Sequence, residues 1–432
     1  MDVAEGERLS VEPKIQTNQT LNDPSLRVMN FLNEIVLEFP AAISFAPGRP
    51  VESLFNVESS LLEIQRYVDH RVAETGQSRA KIFESLGQYG KTKGIVSDLV
   101  ARQLANDEKI AVDSESILVT SGSQEAMTIA LLGLFEPGRD VLLVSEPNYI
   151  GITGMAAILG IEVCGVAGGD DGTDPDELEQ AICRVRDAGK NPKAFYDIPD
   201  FHNPLGSHMP LAARQRLLDI AKRNDLLIIE DNAYGMFAYD SDRIPTLKAL
   251  DTDGRVIYLG TYSKTLFPGL RVGYLVATDP QLADELSKVK SLTTINTSPI
   301  LQAIAGGLLL ESDCSLVETC RRKVAFYKGN RDRMLECLEA TFGTDIALRE
   351  QVRWNRPAGG FFLNVALPFD FDEEQLRRCA RDYRVIVCPM SFFSLDGGRR
   401  QQIRLSFSYV PPTEIEEGIR RLFRFVRDVG GA

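Results

Sequence analysis

Val256-Ile-Tyr-Leu-Gly-Thr-Tyr-Ser-Lys-Thr-Leu-Phe-Pro-Gly-Leu-Arg-Val-Gly-Tyr-Leu-Val276 contains two apolar runs, Val256–Leu259 and Val272–Val276, with a lysine between them. A continuous apolar run, as opposed to an alternating one, marks a strand covered on both faces. Lys264 follows the first run at its carboxyl end, where lysines are usually paired or functional. Four further runs lie upstream: Ile117–Thr120, Val141–Val144, Ala194–Ile198 and Leu226–Ile229. Each is followed by turn residues and then a longer amphipathic stretch. Strands that alternate with helices imply βαβ units and a mostly parallel sheet.

Outside this segment the pattern changes. Met1 to Asn22 is expected to be a flexible leader, and Phe45-Ala-Pro-Gly-Arg-Pro50 to be a loop. Leu61 to Val72 has helical periodicity. From Gln281 to about Ala340 the pattern is helical, and Phe361–Ala366, Val385–Val387 and Ile403–Phe407 then resemble short strands. That segregation suggests a second, smaller α+β lobe.

The chain has 432 residues, enough for two to three domains at roughly 150 residues each. Acidic residues number 61 and basic residues 48, for a net charge of −13. That balance argues against nucleic acid or an anionic membrane as the main partner. The amino-terminal stretch has no apolar core of a secretory signal, and no window of about 20 residues suits a membrane span. Seven scattered cysteines form no CxxC, and there are three histidines. This fits reduced thiols in a cytoplasm and argues against a structural zinc site.

In open α/β sheets, ligands bind at the carboxyl ends of strands. After Ile117–Thr120 comes Ser121-Gly-Ser-Gln-Glu-Ala126, small residues opening a helix. Such a turn presents backbone N–H groups to a phosphate, or is an ordinary N-cap. After Ala194–Ile198 comes Asp200-Phe-His-Asn-Pro-Leu-Gly206, on its own a turn. After Leu226–Ile229 comes Glu230-Asp-Asn-Ala-Tyr234, and after Val256–Leu259 come Lys264 and Arg271.

Each signal is weak alone, but Asn203, Asp231, Tyr234, Lys264 and Arg271 arrive in order at successive strand ends. Together with the Ser-Gly-Ser-Gln turn, this set resembles the fold-type-I pyridoxal-phosphate enzymes, and more narrowly the class I/II aminotransferases of the aminoadipate and kynurenine branch. The resemblance covers about Asp23 to Val429. It implies an α/β large domain, with a mostly parallel seven-stranded sheet between helices, and a smaller α+β domain. Expected boundaries are 1–22 leader, 23–60 arm and part of the small domain, 61–310 cofactor domain and 311–432 small domain. The chemistry makes matching demands. A lysine amine must condense with the aldehyde, which suits Lys264. A carboxylate must keep the ring nitrogen protonated, which suits Asp231. Asn203 and Tyr234 suit the phenolic oxygen. Ser123, Gln124, Ser263 and Arg271, with Thr261 as a weaker candidate, suit the phosphate. The resemblance further implies Tyr149 stacked on the ring and Arg404 gripping the substrate α-carboxylate. It also implies a homodimer in which Tyr89 reaches the partner's cofactor phosphate. The reaction implied moves an amino group between an amino acid and a 2-oxo acid through pyridoxamine phosphate, with Lys264 shuttling the proton.

Gly48 and Arg49 fall where relatives of this branch line the substrate side chain. Arg49 either meets a distal carboxylate of glutamate or 2-aminoadipate, or is a surface arginine or structural ion pair. The same loop resembles that of arylglycine-forming aminotransferases of antibiotic biosynthesis, which suggests an aromatic 2-oxo acid. Phe31, Phe45, Phe55 and Phe361 are candidates for an aromatic pocket, or core. His202, ahead of the Asn-Pro pair, is given no acid/base work. The same scaffold also supports oxidases, lyases and decarboxylases. A retained grip at Arg404 argues against decarboxylation only. A transcription regulator with a related effector domain would need a DNA-binding segment ahead of it, and a nicotinamide enzyme would need GxGxxG.

Overall fold

The carboxyl ends of the predicted strands, apart from Val272–Val276, share one edge of the sheet. In the computed structural model, which describes residues 18–240 and 242–430, the strands are β1 Ile117–Thr120, β2 Asp140–Glu146, β3 Glu162–Gly169, β4 Gly172–Thr173, β5 Asn191–Asp197, β6 Leu227–Asn232, β7 Val256–Thr261 and β8 Gly273–Val276. They pair in the order β1-β8-β7-β6-β5-β2-β3-β4. The strands from β7 to β3 in that order are parallel, and β8 is antiparallel to both neighbours. Seven strands make the expected sheet, and β4 adds a two-residue antiparallel hairpin at its edge. The apolar-run criterion passes over β3. It lies toward the edge, is partly exposed and contains three glycines, so packing does not demand an apolar run there.

Successive side chains of each strand enter different cores. Leu118, Leu142, Ile229 and Ile257 join one cluster with the helix Ser123–Leu134. Ile117, Val119, Tyr258 and Val276 join a second with Ser97–Asp107 and Pro299–Glu311. Val141, Leu143, Phe195 and Ile228 join a third with Pro175–Asp187 and Leu211–Asn224. Helices on both faces explain why the runs are continuously apolar.

A second sheet is wholly antiparallel: β9 Arg353–Trp354, β10 Phe362–Ala366, β11 Cys388–Pro389 and β12 Gln402–Ser406, in the order β9-β10-β12-β11. The helices Val317–Leu338 and Pro412–Gly430 share a core with it. Near the amino terminus, Ile43–Ser44 pairs in parallel with Val385–Ile386. Of the expected leader, residues 1–17 lie outside the described residues, and Gln19–Asn22 form a 3₁₀ turn. No helix among the described residues is long and apolar enough to cross a membrane.

One buried cation fixes the segment between β5 and the helix Leu211–Asn224. Arg214 has no solvent exposure. It donates to the carbonyls of Met209 (3.0 Å) and Pro245 (3.1 Å) and to the Asp200 carboxylate. Burial pushes the Asp200 carboxyl up, but His208 and Arg214 together hold it at about 2. Replacing Arg214 by Met leaves that carboxylate buried beside a single partner. We expect Arg214→Met to lower the unfolding free energy by about 3–5 kcal/mol. Arg214→Met/Asp200→Asn should recover part of the loss in denaturant titrations. Equal stability of wild type and single variant would contradict this reading.

Candidate active site

The cavity at the strand ends has a volume of about 320 Å³. The sheet register brings its first two charged groups together. Asp231 pairs with Leu259 across β6 and β7, and Asn232 with Gly260. β7 then ends at Thr261, whose hydroxyl accepts from the Ser263 N–H (3.2 Å) and starts the helical turn Tyr262–Thr265. That turn places Lys264 on the cavity wall with Asp231. The Lys264 amine donates to the Gly48 carbonyl at 3.0 Å. Burial lowers it to about 8, against the attraction of Asp231.

Asp231 is 3 % exposed. Its Oδ2 accepts from the Tyr196 hydroxyl at 2.7 Å, and its Oδ1 has no hydrogen-bond partner. Burial raises the carboxyl to about 6, opposed by Tyr196 and Lys264. A buried acceptor without a donor is costly, so Oδ1 suits a cationic N–H in the cavity.

Another part of the cavity wall is built for an anion. Gly122, at φ 84°, caps the helix Ser123–Leu134. A Cβ there would lie 2.7 Å from the Arg271 guanidinium. Arg271, itself at φ 49°, donates to the Ser121 carbonyl at 2.6 Å. The Thr261 hydroxyl donates to Ser263 Oγ at 3.0 Å. Ser123, Gln124, Thr261, Ser263 and Arg271 all line the cavity. A helix amino terminus, hydroxyls and a guanidinium together favour a dianion.

The remaining walls are aromatic and cationic. The Tyr149 ring sits over Gly151, where a Cβ would lie 2.3 Å from it. Gln124 donates to the Gly151 carbonyl at 3.0 Å. Burial pushes the Tyr149 phenol up to about 12. Tyr234 is buried against Phe361 and Phe362, and burial raises its phenol further above the ordinary value. Arg404 of β12 donates to Asn203 Oδ1 and to the Ala46 carbonyl, both at 2.7 Å. Its guanidinium lies 4.3 Å from the Phe362 ring centroid and 4.6 Å from that of Phe393. Its Nε has no partner.

Gly48 and Arg49 also line the cavity. A Cβ on Gly48 would lie 2.5 Å from the Phe362 ring. The Arg49 guanidinium sits 4.2 Å from the Tyr409 ring centroid and forms no ion pair among the described residues. Tyr89 does not join the cavity of its own chain and is 74 % exposed.

The four phenylalanines considered for an aromatic pocket are absent from the cavity wall. Phe45 and Phe361 are fully buried in the core, Phe55 packs on Phe267, and Phe31 packs edge-on to Phe392. Leu32, Ile150 and Phe393 line the cavity instead. His202 is buried, 2.9 Å from the Ser145 hydroxyl, and burial lowers it to about 3, so it stays neutral.

Two residues near the site belong to no sequence motif. Tyr196 is the single hydroxyl inside the apolar run of β5, and that was its only signal. Lys323 donates to the carbonyls of Thr265 and Leu266, the latter at 2.6 Å, and so ties down the end of the turn carrying Lys264. Nothing in its local sequence announces that contact.

Residues 57–422 match the model for aminotransferase class I and II. The chain is 44 % identical over 420 residues to (S)-3,5-dihydroxyphenylglycine transaminase of Amycolatopsis orientalis, covering 96 % of this chain and 94 % of that one. It is 32 % identical over 397 residues to 2-aminoadipate transaminase of Thermus thermophilus, covering 90 % and 91 %. Its structure superposes with a TM-score of 0.82 on Pyrococcus horikoshii kynurenine aminotransferase in complex with PMP, at 29 % identity, covering 96 % and 97 %. An amine of lowered pKa, a buried carboxylate lacking one donor, an anion cup and an arginine grip are what imine chemistry on a phosphorylated cofactor requires. The chain therefore belongs to the class I and II aminotransferases, and it is a pyridoxal-phosphate-dependent transaminase acting on an amino acid and a 2-oxo acid.

Proposed function

We propose that Lys264 is the catalytic lysine and that the cavity holds pyridoxal phosphate between Asp231 and the anion cup. The observation that carries this is the unpartnered Asp231 Oδ1 in the same cavity as the Lys264 amine. When bound, the cofactor supplies an aldehyde and an electron-withdrawing ring. In this reading Asp231 holds the proton on the ring nitrogen, with Tyr196 orienting the carboxylate. Asn203 and Tyr234 bind the phenolic oxygen, and Tyr149 covers the ring. Ser123, Gln124, Ser263 and Arg271 hold the phosphate. Arg404 binds the substrate α-carboxylate, its position set by Asn203 and the two phenyl rings. Once the substrate amine has displaced it from the cofactor, the freed Lys264 amine would move the proton from the substrate Cα.

The substrate reading is an aromatic 2-oxo acid or arylglycine in one half-reaction and a dicarboxylic amino donor such as glutamate or 2-aminoadipate in the other. Leu32, Ile150 and Phe393 give the cavity apolar walls, and a relative 44 % identical over most of both chains is a dihydroxyphenylglycine transaminase. This supports a role in antibiotic biosynthesis. Arg49, stacked on Tyr409 with no acidic partner among the described residues, is the proposed grip for the donor's distal carboxylate. The same reading makes residues 61–310 the cofactor domain and 311–432, with part of 23–60, the small domain. It makes the enzyme a cytoplasmic homodimer with Tyr89 completing the partner's phosphate site. The free cysteines support that compartment, and the exposed Tyr89 supports that assembly.

Single amino acids added to holoenzyme test this reading through the visible absorbance of the cofactor. Arylglycines and glutamate should each convert it, and an aromatic or dicarboxylic 2-oxo acid should restore it. Conversion by neither class would overturn the substrate reading. Arg49→Ala should raise KM for glutamate by about 10- to 100-fold, the loss of one charge-assisted contact, and leave the arylglycine half-reaction unchanged. Unchanged glutamate kinetics would sink the Arg49 assignment.

The lowered Lys264 pKa also predicts a pH profile. Protonated amine does not attack an aldehyde, so capture of pyridoxal phosphate by apoenzyme should rise with pH through a midpoint near 8 and level off about one unit higher. A capture rate still climbing at pH 10 would mean an ordinary lysine.

A further inference from the structure

Behind the anion cup lies a buried ion pair that no part of the proposed chemistry uses. Lys290, in the helix Pro280–Thr293, has no solvent exposure. Its amine donates to Glu125 Oε1 at 2.8 Å and to the Thr297 hydroxyl at 3.1 Å. Glu125 is the third residue of the helix Ser123–Leu134, and its other oxygen accepts from the Ser121 N–H. The Thr294 hydroxyl donates to the same carboxylate. Thr297 in turn donates to the Val119 carbonyl at 3.0 Å. Apart from the bond between Lys290 and Thr297, these bonds all end on the stretch Val119–Glu125, which supplies the Ser123 and Gln124 side of the cup.

The connecting turn is held in a costly shape. Ile295, a β-branched residue, sits at φ 66°, in the left-handed region. Its N–H, like that of Thr294, bonds to the Lys290 carbonyl at 3.0 Å. Its side chain is about half exposed, so tight packing of that side chain does not force the conformation. The turn is what delivers Thr294 and Thr297 to Glu125 and Val119. Strain of this kind persists where surrounding contacts over-determine it, and it concentrates at functional sites.

We infer that Lys290 and Glu125 are positioning residues that set the phosphate cup. Glu125 fixes the Ser121 N–H, while Arg271 takes the Ser121 carbonyl from the cavity side. The same peptide segment is thus clamped from both directions. Lys290 has a second task. Glu125 lies one helical turn or less from the cup, and without a cation its carboxylate would repel a phosphate dianion. A buried pair is poor evidence for stability in itself, and its better-attested use is to specify one arrangement. This inference rests on the reading that the cup binds the cofactor phosphate.

Binding to full-length apoenzyme separates that role from general support of the fold. Pyridoxal phosphate and pyridoxal share the ring and aldehyde and differ in the phosphate. Lys290→Met should weaken pyridoxal phosphate by about 10- to 100-fold and leave pyridoxal within about threefold. Glu125→Gln, which keeps an acceptor for the Ser121 N–H and removes the charge, should have a smaller effect. Glu125→Gln/Lys290→Met should regain part of the affinity lost in Lys290→Met. Should Lys290→Met fail to fold, Thr297→Val removes the link to the Val119 carbonyl and should show the same selectivity in milder form. Equal weakening of both ligands, or no change in either, would overturn the inference. Wild-type apoenzyme that does not prefer pyridoxal phosphate over pyridoxal would overturn the underlying reading of the cup as well.

Discussion

Asp231 and Lys264 stand at the carboxyl ends of neighbouring parallel strands, and burial works against both of their charged forms. Removing water from a carboxylate and an amine is expensive unless each finds a partner. Here the carboxylate keeps one oxygen for Tyr196 and one without a donor, and the amine rests on a backbone carbonyl. The result is a site whose two central groups are poised toward a ligand more than toward each other. Much of the surrounding structure can be understood as maintaining that poise.

The support comes from several directions. Parallel pairing of β6 with β7 sets the relative height of the two residues. Lys323 holds the carbonyls after Lys264, and Arg214 holds the segment that carries Asn203. Asn203 then meets Arg404, which reaches over from the antiparallel sheet and is flanked by Phe362 and Phe393. The proposed α-carboxylate grip thus depends on both sheets at once. On the anion side, Arg271 and the buried Lys290–Glu125 pair clamp a single turn at Ser121. Rigid elements carry the chemistry, and long buried cations fix the loops between them.

What the sequence disclosed, and what it did not, follows from how each feature is encoded. Strands buried on both faces must be apolar throughout, so β1, β2, β5, β6, β7 and β8 were legible. β3 lies toward the edge with glycines and exposed positions, and β4 has two residues, so neither left a run. Lys264, Asp231, Asn203 and Arg271 were legible because strand ends are where α/β sheets bind ligands. All four line the cavity. Tyr196, Lys323 and Lys290 were not legible, because their partners lie far along the chain and only the fold brings them together. The aromatic residues were left open between pocket and core. Residue type alone does not say where a ring points, and Phe45 and Phe361 turn into the core while Phe393 faces the cavity.

Lys264, alone among the lysines of the chain, is proposed to carry the cofactor. Borohydride reduction of the holoenzyme, followed by peptide mass spectrometry, tests it directly. A stoichiometric pyridoxyl-phosphate adduct is expected on the peptide containing Lys264, and none on peptides containing Lys290 or Lys323. An adduct on another lysine, with Lys264 unmodified, would contradict it.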